Sequence, residues 1–375
     1  MTLDSQQDEA IWDVAVLPEG LITKGELGGR MENPGKTSRN RRLALAWSLK
    51  VVLVLALIVP TYSVAQTRSN FASSITGESM ACVWVARDRG LFRKHGLEVQ
   101  YIHMSRSPLS VAALIAGEID MVVIGPGHLL SATTGGADLV GVANFFQKLD
   151  YTLNGRPELK KPEDLRGKRV AISGPGATSH IVSLLALRKL GLDPNEAKIS
   201  FITIPGTELN RRLALETGSV DATTLRGSIG ELYAGKGYTP LFKFKGSGLT
   251  MPQTMVVTTR RIAGGKPQLV EGYLKALIEA IAYIMEPANK ETVTRTFASQ
   301  LRLSNPAAVE EAYESIVNSY EPVPHPSVEG MKTLQSIMVT INPKLAGVSP
   351  EKVVDGSFVE KLQKSGFIQS VARKR

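Results

Sequence analysis

An α/β protein of two lobes is the fold class this sequence predicts, and three observations carry it. The pattern helix, Gly, any residue, Ile or Val, Asp, strand occurs twice, at Gly117-Glu118-Ile119-Asp120 and at Gly218-Ser219-Val220-Asp221. The copies lie about one small domain apart. In each copy the glycine suits the left-handed residue that ends a helix, and the apolar or β-branched run after the aspartate suits a buried strand. Strand-like and helix-like segments alternate around both copies, which implies a mainly parallel sheet in each half.

The chain opens differently. Arg39-Asn40-Arg41-Arg42 precedes an apolar stretch over 43–59, followed by Pro60 and by Ser63-Val64-Ala65. A basic region, an apolar region, a helix breaker and small residues at the −3 and −1 positions read as a secretory signal cleaved after Ala65. The rival is an uncleaved anchor, but Ser48 and Lys50 interrupt the stretch and leave 51–59, short of the ~20 residues a span needs. Residues 1–30 are polar and unlike a signal, which makes Met31 an alternative start.

After Gln66 the sequence predicts a strand ending near Ile75 and a helix over 78–89 with Met80, Trp84, Val85 and Leu91 on its apolar face. A strand over 97–102, a helix from Ser107 or Pro108 to Ala116, a strand over 119–124, a helix to Gly135 and a strand over 139–145 follow. Residues 148–161 are polar and turn-rich, and the first crossing between lobes is expected there. Pro162-Glu163-Asp164-Leu165 predicts a helical turn. The second lobe then reads as a strand over 168–173, a helix over 177–190, a strand over 199–204, a helix over 207–217 and a strand over 222–225. Strands over 241–244 and 254–259 are expected to carry the chain back. From Pro267 the pattern is helical, with segments near 267–286, 289–300, 305–319 and 326–341. The expected lobes are 66–147 with 255–375, and 148–254.

Apolar residues make up 43% of the chain and charged residues 21%, an ordinary globular composition that argues against disorder. The first 65 residues carry seven basic and seven acidic side chains, so the net charge of +9 belongs to the remainder. That charge is compatible with an anionic ligand or an anionic membrane surface. The basic residues are dispersed with no aromatic-interleaved stripe, so nucleic acid is not expected as a partner. Cys82 is the only cysteine, which excludes a disulfide framework and a cysteine-based zinc site. His95, His103, His128, His180 and His325 lack the spacing of paired ligands on a helix, so no metal or other cofactor is expected.

Several ordered motifs together resemble one family. They are Glu78-Ser79-Met80 with Trp84-Val85-Ala86-Arg87-Asp88-Arg89-Gly90-Leu91-Phe92, His95-Gly96-Leu97-Glu98-Val99, the two glycine–aspartate copies, Gly136-Ala137-Asp138-Leu139-Val140, and Lys161-Pro162-Glu163-Asp164-Leu165-Arg166-Gly167-Lys168. The chain resembles the solute-binding proteins of nitrate, sulfonate and taurine type ABC importers, a group with a thiamine pyrimidine-precursor branch. The resemblance implies a type II periplasmic-binding fold: two α/β lobes, a two-strand hinge, a helical C-terminal tail and a ligand closed in the cleft. It also implies a periplasmic, monomeric binder that takes a small organic ligand, anionic by expectation, to an ABC permease and its ATPase. A sensor without transport and a precursor-synthase-like enzyme are the alternatives. The synthase branch carries a cysteine-rich motif that one cysteine cannot supply, and no catalytic residue is assigned.

In open α/β sheets ligands lie beyond the carboxyl ends of strands, near helix N-termini that favour anions. The candidate ligand residues are therefore Thr76, Gly77, Glu78, Ser105, Arg106, Gly125 and Gly127 in the first lobe. In the second they are Gly176, Thr178, Ser179, Gly206 and Arg226. Gly176, Thr178 and Ser179 read either as donors to an anion or as a plain helix cap. Arg226 and Arg106 read either as planar forks for an anion or as solvated surface arginines. Glu78 reads as an amine ligand or as an acid placed favourably at a helix N-terminus. Asp120 and Asp221 read as corner-forming.

Overall fold

The computed structural model describes residues 66–372, apart from Thr76, Ser105 and the side chain of Ser228. The expected leader and cleavage site lie outside the described residues. In chain order, β1 (Thr67–Ser73) leads through a 3-10 turn at Glu78–Met80 to α1 (Ala81–Asp88), α2 (Leu91–Lys94) and β2 (Leu97–His103). Next come α3 (Ser107–Ala116), β3 (Met121–Ile124), α4 (Pro126–Thr134) and β4 (Leu139–Lys148). The chain continues with β5 (Tyr151–Gly155), β6 (Arg169–Ile172), α5 (Thr178–Lys189), β7 (Ser200–Thr203), α6 (Glu208–Glu216), β8 (Ala222–Arg226), α7 (Gly227–Gly235) and β9 (Thr239–Lys243). After β10 (Thr250–Thr259) it is helical: α8 (Arg260–Gly265), α9 (Pro267–Met285), α10 (Lys290–Leu301), α11 (Pro306–Val317), α12 (Val328–Met338), α13 (Ser357–Lys364) and α14 (Phe367–Ala372).

Two five-stranded sheets result, with strand orders β2-β1-β3-β10-β4 and β7-β6-β8-β5-β9. Both are built to one plan. Three parallel strands come first, then an antiparallel strand from a segment that crosses between the sheets, then the edge strand. β10 enters the first sheet at Thr250, opposite Lys148, so the expected change of lobes at 254 falls inside this strand.

Two sequence expectations need correction. The polar stretch 148–161 contains β5, whose five residues are all buried between β8 and β9. Its Tyr-Thr-Leu-Asn-Gly sequence hides the strand because the partners come only with the fold: the Tyr151 hydroxyl donates to Gln253 Oε1 at 2.9 Å and Asn154 Nδ2 to the Gly230 carbonyl at 3.0 Å, while Asn154 Oδ1 is buried without a hydrogen bond. The run over 241–244 does not carry the chain back; it belongs to β9, an edge of the second sheet.

The repeated glycine–aspartate pattern is the same corner in both sheets. Gly117 and Gly218 take φ of 78° and 75° where α3 and α6 end, a region that a side chain would strain. Each aspartate then ties the corner to the central one of its sheet's three parallel strands, β1 or β6. Asp120 Oδ2 accepts the Asn70 N–H at 3.1 Å and the Ser69 hydroxyl at 2.7 Å. Asp221 Oδ2 accepts the Arg169 N–H at 2.8 Å.

Helix α9 shows why the tail packs on the first sheet. Leu269, Val270, Tyr273, Leu274, Leu277, Ile278, Ile281 and Ile284 recur at helical spacing and are buried. Tyr273 lies 5.0 Å from Phe71 of β1, ring to ring, and donates to the Ser69 hydroxyl at 2.8 Å. Helix α12 reaches further: Met331, Leu334, Ile337 and Met338 share a buried cluster with Met255 and Val257 of β10 and with Ile181 and Leu185 of α5.

Candidate functional site

The carboxyl ends of strands from both sheets meet at one cavity of about 770 Å³. From the first sheet, the segments after β1 and β3 bring Glu78 and Gly125, and the one after β2 brings Arg106 and Ser107. From the second, the segments after β6 and β7 bring Ser173 and Gly206, and the last residue of β8 is Arg226. The crossing strands β5 and β10 contribute Tyr151, Gln253 and Thr254.

Helix starts dominate this wall. The residues preceding α3, α4, α5, α6 and α7 (Arg106, Gly125, Ala177, Thr207 and Arg226) make no side-chain cap hydrogen bond. First-turn amides of a helix have no intrahelical acceptor, and the dipole adds partial positive charge at the same end. The starts of α3, α4 and α5 favour an anion, whereas at α7 the Gly227 N–H already donates to the Asp150 carbonyl at 2.8 Å and the Asp150 carboxylate lies against Gly227. The α6 end differs, because Glu208 in its first turn opposes that charge.

Arg226 forms the centre of a second, ionic pole. Its Nε lies 3.2 Å from Glu78 Oε1, and its main-chain N–H donates to Glu208 Oε2 at 3.3 Å. Its guanidinium carbon is 5.4 Å from the centroids of both the Phe146 and Tyr151 rings, within cation–π range. Burial opposes the charge on Arg226, but Tyr151, Glu78 and Glu208 outweigh it and hold the pKa above the ordinary guanidinium value. Arg211 Nη2 stands 3.8 Å from Glu208 Oε2. Burial pushes Glu208 up and Arg211 down, each only partly offset by the other.

The structure brings eight of the twelve sequence-predicted residues to the cavity: Gly77, Glu78, Arg106, Gly125, Thr178, Ser179, Gly206 and Arg226. Thr76 and Ser105 lie outside the described residues. Gly127 and Gly176 are not on the cavity wall and face one another instead, where a Cβ on Gly127 would fall 2.8 Å from the Gly176 carbonyl oxygen. The plain-cap reading of Thr178 and Ser179 does not match the geometry, since Ala177 holds the cap position. Their hydroxyls are engaged elsewhere: Thr178 Oγ1 donates to the Gln253 carbonyl at 3.1 Å, and Ser179 Oγ accepts the Ser173 N–H at 2.8 Å. The donors left at this end are the first-turn amides of α5 itself, which have no intrahelical acceptor. Arg226 is not a solvated arginine, and Glu78 does more than favour a helix end.

Sequence reasoning missed Tyr151, Glu208, Arg211 and Gln253. Tyr151 lay in the unrecognised strand β5, and Gln253 precedes the residues assigned to a strand. Glu208 and Arg211 read as ordinary first-turn helix residues, although an acid at a helix start next to three loop residues was a usable signal. Two histidines also flank the loop Gly174-Pro175-Gly176: His180 Nδ1 accepts the Gly176 N–H at 3.1 Å, and His128 Cε1 would lie 3.7 Å from a Cβ on Gly176. Burial lowers the pKa of both.

Cys82 is buried in the first core, and burial pushes its thiol up to about 12. Such a thiol is inert as a nucleophile. Among the described residues no group of three or more His, Cys, Asp or Glu could hold a metal ion, and no helix is long and apolar enough to cross a membrane.

The fold has many solved counterparts. A protein of Bordetella bronchiseptica RB50 superposes with a TM-score of 0.67 at 18% identity, covering 80% of this chain and 98% of that one. The alkanesulfonate-binding protein SsuA of Xanthomonas axonopodis pv. citri, bound to MOPS, superposes with a TM-score of 0.61 at 22% identity over 78% of this chain and 99% of that one. The periplasmic nitrate-binding protein NrtA of Synechocystis PCC 6803 gives 0.59 at 13% identity over 80% and 89%. At these identities the likeness is one of fold, that of periplasmic binding proteins. By sequence, proteins named as binding proteins in Brucella abortus and Brucella suis are 28% identical over 162 residues, 42% of this chain and 48% of theirs. The chain spans about half the length of the curated relatives it matches. The family model described as NMT1/THI5 like matches residues 78–290, more than half of the chain and nearly all of the cavity wall, and the chain belongs to the NMT1/THI5-like family.

Proposed function

We propose that this chain is an exported solute-binding protein that captures a small organic anion between two hinged lobes and delivers it to an ABC permease. The lobes are 66–147 with 255–375, and 148–254. The observation that carries the reading is the convergence of uncapped helix starts from both sheets on one cavity, an arrangement that binds an anion through fixed amides without covalent chemistry. The anionic group is assigned to the cavity wall formed by the starts of α4 and α5, at Gly125, Ala177, Thr178 and Ser179. The relatives named for alkanesulfonate and nitrate support a ligand of this charge. Closure of the lobes follows the hinge repertoire of such proteins, and the closed, loaded form is what a permease meets.

The test is thermal unfolding of purified residues 66–375 with a panel of organic sulfonates, carboxylates and pyrimidines. A ligand present at ~100 times its dissociation constant adds about 2.7 kcal/mol of stability. No stabilisation by any panel anion would count against the reading, and turnover of a panel compound would replace it with an enzymatic one.

A further inference from the structure

In a cavity that receives an anion, the buried arginine at its base already has an internal partner. Glu78 leaves the segment after β1 and reaches the arginine that closes β8 in the other sheet, with Oε1 3.2 Å from Nε. The pair is not a chance meeting of two loose side chains, because only 13% of the Arg226 side chain and 16% of that of Glu78 are exposed. One aromatic frame holds both partners. The Tyr320 hydroxyl accepts the Cys82 N–H at 2.9 Å and donates to the Ser79 carbonyl at 3.2 Å, which pins the turn that carries Glu78. The Tyr320 ring lies 4.7 Å from the Phe146 ring, and Phe146 and Tyr151 flank the guanidinium.

The charges of this pole cancel. Glu78 and Glu208 face Arg226 and Arg211, two carboxylates against two guanidiniums, and all four line the cavity. An anion approaching Arg226 would come close to Glu78 as well, and repulsion would offset most of the attraction. The starts of α3, α4 and α5, with no acid in their first turns, lack such compensation.

We infer that Glu78 is a specificity-determining residue: as the built-in counter-ion of Arg226 it confines the ligand's negative charge to the helix starts and rejects a ligand that brings a second negative charge to the arginine. The inference deepens the solute-binding reading and rests on it for the identity of the cavity as the ligand site. It makes the ligand a monoanion whose remaining part presents neutral or hydrogen-bonding groups to the Glu78–Arg226 pair. Removing Glu78 leaves one carboxylate, that of Glu208, for the two guanidiniums of Arg226 and Arg211, a buried excess of positive charge that is costly and therefore takes up an anion from solution.

The experiment uses the full chain and inorganic sulfate as the probe, titrated at constant ionic strength with chloride as the balancing salt and followed by calorimetry and thermal unfolding. The Glu78→Gln variant is expected to bind sulfate at least about tenfold tighter than the parent, the low end of what a close buried charge pair contributes. Glu78→Ala carries the same expectation, releasing space as well as charge. Adding Arg226→Gln to either variant should abolish the gain. Equal sulfate affinity in the parent and in both single variants would overturn the inference, as would a gain that survives the loss of Arg226. Sulfate reports on Arg226 whatever the natural ligand is, so failure of the organic panel on the parent protein would count against the solute-binding reading and leave this comparison readable.

Discussion

His180 sits where a proton matters. Its Nδ1 accepts the Gly176 N–H at 3.1 Å, a bond that only the neutral ring can make, and its ring lies 4.7 Å from Phe201 in an edge contact. Burial lowers its pKa from the usual 6.5, as it does for His128 and His95. The unfolded chain therefore binds more protons than the folded one as pH falls below about 6.5, and stability is lost in that direction. Glu208 acts with the opposite sign: its raised pKa gives stability at low pH that is lost as pH rises above the usual carboxylate range. A difference between variants separates the two. His180→Phe keeps the contact with Phe201 and removes the titration, so its urea unfolding free energy should fall less between pH 7 and pH 5 than the parent's. Identical pH slopes would show that His180 is protonated without cost. At this scale the sequence was least informative. Glu78 and Arg226 were both singled out, yet their pairing joins residues far apart in the chain, and no local pattern encodes it.

At the scale of elements, the two glycine–aspartate corners do the same job with different partners. Asp120 relies on Ser69 and Asn70, whereas Asp221 receives the Arg169 N–H at 2.8 Å, its Nε at 3.0 Å and its Nη2 at 2.9 Å. The Arg169 hydrogen bonds hold the Asp221 carboxyl below the usual carboxylate range. Asp221→Ala should lower the unfolding free energy by about 1.5–3 kcal/mol, the range for hydrogen bonds to a charged group, as measured by denaturant titration. An unchanged midpoint would take the corner out of the account of stability. The corners were legible because glycine and a short apolar run are local signals, whereas β5 was not, because this central strand carries Thr152 and Asn154, which the second sheet buries.

Across the whole molecule, contacts outside the cavity also join the two sheets' helices. Arg212 of α6 pairs with Glu311 of α11 at 2.6 Å, with side-chain exposures of 12% and 24%, and Arg188 of α5 donates to the Ser336 carbonyl of α12 at 3.2 Å. The helical tail thus holds the second sheet's layer as well as the first. On the hinge reading proposed above, Glu311→Gln should loosen the tail's hold on the second sheet's helices, and small-angle scattering from the ligand-free chain should show a larger radius of gyration than the parent's. An unchanged radius would assign the pair to static packing and not to closure.

The sequence by itself determined two α/β units, their repeated corner, the helical tail and the loops that could hold a ligand. Those features rest on residue periodicity, glycine conformation and helix-start chemistry, all of which act over a few residues. Only the tertiary structure decided that a polar segment becomes a central strand, that Thr178 and Ser179 spend their hydroxyls on the frame, and that Arg226 meets Glu78 before any ligand does. Each of these depends on desolvation and on partners brought from the other sheet, and those are properties of the packed chain.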